Sequence, residues 1–289
     1  MEKQAGNSTE QLRRLLASGR FLTMPCCYDA LSARLVEMAG FPLTFMSGFA
    51  VAATRLALPD TGLISFAEMT EQGRNITGAV SIPVIGDGDT GYGNAVNVKR
   101  TVREYARAGF ACVMIEDQLA PKRCGHVAGK EVVERREALT RIRAATDARD
   151  EGAGILVLAR TDARATHGLG EALWRAAAFA DLGADIVFVE APESVAEMER
   201  ICRETPGVKM ANMLERGRTP VLPAERLAGM GYTIAAYPLT LLGAAVTAMQ
   251  RALAALAAGD YQGDLVDFDE LRRIVGFPGY AEEEKRYGS

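Results

Sequence analysis

Two carboxylates stand two residues apart in Ile85-Gly86-Asp87-Gly88-Asp89-Thr90-Gly91-Tyr92-Gly93, at the end of an apolar run and among four glycines. Gly86, Gly88 and Gly91 match the dinucleotide fingerprint G-x-G-x-x-G, and the next apolar run ends in the acids Glu116-Asp117 that a ribose would need. The charges argue against a pyrophosphate. Two like charges about 4 Å apart cost on the order of 4 kcal/mol near a protein surface. A third anion adds to that cost unless a cation lies between. The loop therefore reads as an oxygen-ligand site for Mg2+ or Mn2+, with Asp87 and Asp89 as ligands. On this reading the glycines allow substrate and metal to approach closely.

A second segment carries different chemistry: Glu116-Asp117-Gln118-Leu119-Ala120-Pro121-Lys122-Arg123-Cys124-Gly125-His126. Lys122, Arg123 and His126 surround Cys124, a setting that favours thiolate. Cys124 thus reads as a nucleophile or a proton donor, on a long polar loop able to act as a lid. Cys26, Cys112 and Cys202 lie in apolar runs or helices and read as core filler. His167 reads as a surface loop residue.

These side chains need elements to position them. The chain has 289 residues, 48% hydrophobic and 24% charged, the composition of a globular protein. A net charge of -4 provides no broad basic field, so nucleic acid is not an expected partner. No apolar run reads as a membrane span, and the N-terminus has no apolar signal core. Five cysteines, an odd number without a C-x-x-C pair, fit a reduced, cytoplasmic protein. Short apolar runs at Phe21–Cys26, Leu43–Ser47, Pro83–Gly86, Ala111–Ile115, Gly154–Ala159, Asp185–Val189, Val208–Ala211 and Thr233–Ala236 alternate with helix-period segments such as Glu171–Leu182. Glycines 40, 109, 183 and 231 close helices just before the next run.

Eight β-then-α units predict a (β/α)8 TIM-type barrel, with an open doubly wound sheet as the alternative. One domain spans residues 1–289, with an added helical extension from about 259. In that extension a short helix from Asp267 ends at Gly276 and Pro278, and a last helix covers Ala281–Tyr287.

Chemistry in such a barrel sits at the C-terminal strand ends. There the sequence places Ser47-Gly48, Asp87 and Asp89, Glu116, Arg160 and Asp162, Glu190, Asn212 and Tyr237-Pro238. Asp87, Asp89 and Glu116 can share one divalent ion, directly or through water. Arg160 can clamp a carboxylate bidentately, or pair with Asp162 or Glu190. Glu190 and Asn212 can orient substrate oxygens or support Arg160.

From Met24 to Tyr287 the chain resembles the isocitrate lyase/phosphoenolpyruvate mutase superfamily. The carriers are Ser47-Gly48-Phe49-Ala50, Pro59-Asp60-Thr61-Gly62, Asp87–Gly93, Glu116-Asp117-Gln118, Lys122-Arg123-Cys124-Gly125-His126, Ala159-Arg160-Thr161-Asp162 and Asn212-Met213. The K-R-C-G-H segment resembles the carbon–carbon lyase branch, of the 2,3-dimethylmalate lyase and methylisocitrate lyase type. The resemblance implies retro-aldol cleavage of a 2-hydroxy, alkylmalate-type dicarboxylate to an α-keto acid and a carboxylate, with Mg2+ (or Mn2+) as cofactor. It implies Cys124 as acid/base and Asp87, Asp89 and Glu116 at the metal, with Asp60 supporting it through water. It implies Ser47, Gly48 and Arg160 around the keto acid, Phe49 and Gly125 as further substrate-binding residues, and Lys122, His126, Glu190 and Asn212 at the enolate end. It also implies a homotetramer, a dimer of dimers with exchanged C-terminal helices. Alternatives on the same site are oxaloacetate hydrolysis or decarboxylation and carboxyvinyl-carboxyphosphonate phosphorylmutase activity. Methylisocitrate lyases usually show N-I-T after strand seven and an arginine after the Tyr-Pro-Leu-Ser turn. Here the residues are Asn212-Met213-Leu214 and Tyr237-Pro238-Leu239-Thr240, with no arginine at that spacing, which argues against a tricarboxylate.

Overall fold

The computed structural model describes residues 5–125, 129–260 and 265–288. Eight parallel strands close into a barrel in sequence order: β1 Leu22–Cys27, β2 Thr44–Met46, β3 Val84–Asp87, β4 Cys112–Glu116, β5 Leu156–Thr161, β6 Ile186–Val189, β7 Val208–Asn212 and β8 Ile234–Tyr237. Closure comes from β1 against β8, with Leu22 opposite Ile234 and Met24 opposite Ala236. The open sheet is thereby excluded, and with it the dinucleotide-binding topology that the glycine spacing alone suggested.

Alternation along each strand sorts the side chains. Leu22, Met24, Cys26, Phe45, Ile85, Cys112, Met114, Leu156, Leu158, Ile186, Phe188, Met210, Ile234 and Ala236 fill the interior, joined by Leu12 of the N-terminal helix Ala5–Ala17. The intervening residues, among them Val189, Ala211 and Ala235, pack outward against helical Leu173, Met198, Ile201 and Leu227. The interior series continued by two residues gives Ser47, Asp87, Glu116, Arg160, Glu190, Asn212 and Pro238. The alternation that builds the core therefore aims these residues at the barrel mouth.

Helices end where the sequence places their glycines. Gly40, Gly109, Gly183 and Gly231 have φ of 83, 92, 89 and 108°, left-handed values that suit glycine. Gly86 is small for another reason. A Cβ there would lie 2.8 Å from Phe110 Cε1 and 2.9 Å from Tyr105 Cδ1. Both rings are fully buried and stacked, with centroids 4.9 Å apart. The Tyr105 hydroxyl also donates to the Asp87 carbonyl at 2.6 Å. Gly86→Ala should therefore destabilise the barrel by about 1–3 kcal/mol through overpacking. Denaturant unfolding checks this; an unchanged midpoint would show that the rings yield freely.

The chain divides into two compact units, residues 1–240 and 241–289. Helix Thr240–Ala257 buries none of its residues, and its mean hydropathy of 1.3 makes it long and apolar enough to cross a membrane by length and composition. This differs from the expectation that no apolar run reads as a span, because alanine supplies much of the hydropathy of a segment that Gln250 and Arg251 interrupt. An arginine well inside a span costs about 2.5–3.5 kcal/mol on insertion scales. Within the second unit, helix Phe268–Val275 ends at Gly276, whose φ is 95°. The last helix is longer than expected, Phe277–Tyr287, because Pro278 falls in its first turn, where a missing N–H costs nothing.

Candidate active site

A cavity with about 620 Å³ of open space lies at the C-terminal mouth of the barrel. Ser47, Phe49, Asp60, Asp87, Glu116, Lys122, Cys124, Gly125, Arg160, Glu190 and Asn212 all line it. The sequence-predicted site residues thus converge, with two qualifications. Asp89 and Gly48 stand directly behind the lining. His126 lies outside the described residues. His167 is exposed at the end of the short helix Ala163–His167.

On one side of the cavity, four acids are buried together: Asp60, Asp87, Asp89 and Glu116. Asp87 accepts from the Gly48 amide at 3.2 Å and from the Asp89 amide at 3.1 Å. Gly48 opens the helix Gly48–Leu56, capped by Ser47. A Cβ on Gly48 would lie 2.5 Å from Asp87 Oδ2, so this position must be glycine for the carboxylate to fit. Burial, then repulsion from Asp89, pushes the Asp87 carboxyl up to about 6. Burial also raises Glu116 well above the usual carboxylate range, opposed mainly by Arg160.

The acids are paired with cations. No group of three His, Cys, Asp or Glu among the described residues is arranged to hold a metal. Instead the Lys122 ammonium lies between Asp60 Oδ1 at 2.5 Å and Asp89 Oδ1 at 2.8 Å. These contacts are charge pairing without hydrogen-bond geometry, since both oxygens lack a hydrogen-bond partner. Burial alone would discharge Lys122, yet Asp89, Asp87 and Asp60 hold its pKa well above the usual value. The Lys122 ammonium is thus paired with Asp60 and Asp89 as well as lining the cavity beside Cys124. One ammonium and a shared Arg160 face four buried carboxylates, and Glu116 Oε1 has no partner. That surplus of hard oxygen donors fits a divalent cation such as Mg2+ or Mn2+.

The glycines of Gly86–Gly93 answer to packing. A Cβ on Gly88 would lie 2.6 Å from the Met114 carbonyl, and on Gly91 2.4 Å from Val98 Cγ2. They let the acidic loop pack tightly against its own barrel.

Across the cavity, Arg160 is surrounded by acids. Its Nε and Nη2 donate to Asp162 at 2.8 and 3.0 Å. Nε also lies 3.3 Å from Glu116 and Nη2 3.1 Å from Glu190. Burial opposes the guanidinium charge, but Asp162, Glu190 and Glu116 hold its pKa well above the usual value. The reading of Arg160 as an ion-pair partner of Asp162 and Glu190 therefore applies, and the side chain also lines the cavity. The Nε/Nη2 fork is taken by Asp162, which leaves Nη1 outside these pairs. Glu190 in turn accepts from Asn212 at 3.5 Å and from the Ala191 amide at 2.9 Å.

Cys124 comes to this cavity on a loop with a built stem. The Leu119 amide donates to the Glu131 carbonyl and the Val133 amide to the Asp117 carbonyl, each at 2.9 Å. The buried Gln118 side chain grips both polar groups of the Arg123 backbone, each at 2.9 Å. Sequence reasoning missed Gln118 in this role because nothing in its local pattern marks it. Cys26, read as core filler, also lines the cavity; its place two residues before the mouth on an inward-facing series is the signal that could have shown it. Gly125 presses on the far wall. A Cβ there would lie 2.5 Å from Arg160 Nη2 and 2.6 Å from Glu190 Oε2. Gly125→Ala should displace the loop from Arg160 and lower turnover about 100-fold, since a misplacement of about 1 Å costs that much. Steady-state kinetics check this; wild-type turnover would show that the loop closes without this contact.

Residues 12–257 match the family model described as phosphoenolpyruvate phosphomutase. The chain is 40% identical over 287 residues to 2,3-dimethylmalate lyase of Eubacterium barkeri, covering 98% of this chain and 99% of that one. Among solved structures it is similar to oxaloacetate acetylhydrolase in complex with 3,3-difluorooxalacetate, with TM-score 0.94, 32% identity and coverage of 100% and 99%. It is also similar to phosphonopyruvate hydrolase in complex with oxalate and Mg2+, with TM-score 0.87, 31% identity and coverage of 98% and 99%.

Proposed function

The chain belongs to the phosphoenolpyruvate phosphomutase family, and from that premise we propose that it is a Mg2+-dependent carbon–carbon lyase. Its substrate is a 2-hydroxy dicarboxylate of the alkylmalate type, and its products are an α-keto acid such as pyruvate and a carboxylate. The observation that carries this reading is the meeting of Cys124 with Arg160 in one cavity beside a buried acid cluster.

Asp87, with Asp89, Glu116 and, through water, Asp60, would hold Mg2+ or Mn2+. The bound ion supplies positive charge that acidifies a hydroxyl and steadies a carbonyl oxygen. Arg160, Ser47 and the Gly48 amide hold the keto-acid end, with Phe49 and Gly125 against it. When the hydroxyl gives its proton to solvent water and the carbonyl forms, the C–C bond electrons pass to the α-carbon of the departing carboxylate. Cys124 gives that carbon its proton. Asn212, held by Glu190, orients the enolate end from one side, and His126 is assigned to the same end. Lys122 keeps the acid cluster compensated. The wall formed by Phe45, Phe49, Met114, Phe188, Leu214 and Leu239 supports an alkyl substituent rather than a third carboxylate.

The same reading covers assembly and location. The apolar helix Thr240–Ala257, with none of its residues buried, supports association with further copies in a homotetramer. A cytoplasmic, reducing setting suits the five thiols.

The test is a panel of 2-hydroxy dicarboxylates, oxaloacetate and phosphonates with Mg2+. Pyruvate release from alkylmalates is expected. Turnover confined to oxaloacetate, giving oxalate and acetate, or to a phosphonate would replace the lyase reading.

A further inference from the structure

Lys130 lies outside every motif considered above, yet its side chain is only 3% exposed. Among the described residues its ammonium makes two hydrogen bonds. It donates to the Gly125 carbonyl at 2.5 Å and to Asp162 Oδ1 at 2.7 Å. A buried ammonium needs a partner, and charge-assisted bonds of this kind are about twice as strong as neutral ones. As a counter-ion alone Lys130 would be superfluous, because Asp162 already accepts two hydrogen bonds from Arg160 and is fully buried with it. What Lys130 adds is the bond to the loop. Gly125 follows Cys124 directly, and Arg123 on the other side is held at both backbone groups by Gln118. The chain is thus anchored on each side of the thiol, and the Gly125 anchor leads through Asp162 to the guanidinium of Arg160.

We infer that Lys130 is a positioning residue: by binding the Gly125 carbonyl and Asp162 together, it fixes the thiol of Cys124 and the guanidinium of Arg160 in one geometry. The inference rests on the reading of Cys124 as proton donor and Arg160 as keto-acid anchor. Removing the ammonium frees Gly125 and loosens Asp162 without changing any side chain that lines the cavity.

The test uses the full chain carrying Lys130→Met. Three quantities are measured: kcat and KM on the alkylmalate that the wild type cleaves, affinity for pyruvate by titration, and the rate at which iodoacetamide alkylates Cys124, followed by peptide mass spectrometry. Turnover should fall about 100-fold with a smaller change in KM. Alkylation of Cys124 should rise several-fold, and pyruvate should cease to protect it. Lys130→Arg should recover part of both effects. Should Lys130→Met not fold, the pair Lys130→Met with Asp162→Asn, which leaves no buried unpaired carboxylate, is compared with Asp162→Asn alone and should show the same rise in alkylation. A folded variant with wild-type kcat, or one whose kcat falls while Cys124 alkylation and its protection stay at wild-type values, overturns the inference. If the wild type cleaves no alkylmalate, the lyase reading fails, and the alkylation and pyruvate arms still decide the role of Lys130.

Discussion

Cys124→Ser should lower alkylmalate turnover about 1000-fold, within the range that a positioned proton donor contributes. Serine keeps the size and the hydrogen-bonding reach of cysteine, so the loop should keep its seat against Arg160 and Glu190. What changes is acidity: a hydroxyl gives up its proton far less readily than a thiol. The carbanionic carbon would then wait on a poor donor while the keto-acid end stays bound. Pyruvate affinity should therefore remain at the wild-type value, as should the melting temperature, since Cys124 is only half-buried. Coupled assay of pyruvate release and equilibrium titration with pyruvate measure the two quantities. Full turnover in this variant would remove the thiol from the chemistry. Loss of pyruvate binding would give it a structural role instead.

Asp87→Asn should abolish both turnover and the stabilisation of the protein by Mg2+. Asp87 is the acid around which the cluster is built, held by two backbone amides and crowded by Asp89. Its carboxyl titrates at about 6 in the fold, against 3.8 for an ordinary aspartate. The sign follows from linkage. Ionisation is harder in the folded state than in the unfolded one, so this group destabilises the metal-free fold fully above pH 6. The penalty fades as pH falls through that value and is gone below about 3.8. Metal-free wild type should thus gain stability between pH 7 and 5 from this group, and the asparagine variant should lack that gain. At pH 7.5 without metal the variant should melt higher than the wild type. Adding Mg2+ should raise the wild-type melting temperature and leave that of the variant unmoved, and Mg2+ affinity should weaken below pH 6 as protons compete. Thermal melts across pH with and without Mg2+ check all of these. A variant still stabilised by Mg2+ would move the metal to other acids.

The fold was legible because barrel strands are apolar runs on both faces, and such runs are local signals. Each of the eight predicted strands lies within two residues of the observed one at either end. Much of the cavity was legible for the same reason. Asp87, Glu116, Arg160, Glu190 and Asn212 each follow an interior residue by two positions, so the pleat aims them inward. The pairings were not legible. Lys122 reaches Asp60 and Asp89 across 62 and 33 residues of sequence, and Lys130 reaches Asp162 across 32. No local period encodes contacts of that kind. The glycines of the acidic loop misled for a related reason: their small size answers to Phe110, Met114 and Val98, which only the folded barrel brings near. Pro278 was read as a stop because a proline near a helix end is ambiguous until its place in the turn is known.

The central claim is that this cavity breaks a carbon–carbon bond and that Cys124 protonates the leaving carbon. Product analysis by NMR of an alkylmalate incubated with the enzyme and Mg2+ in D2O tests it most directly. The expected products are pyruvate and a carboxylate bearing one deuterium at its α-carbon, both formed about 1000-fold more slowly by Cys124→Ser. Intact alkylmalate beside rapid conversion of oxaloacetate to oxalate and acetate would contradict it.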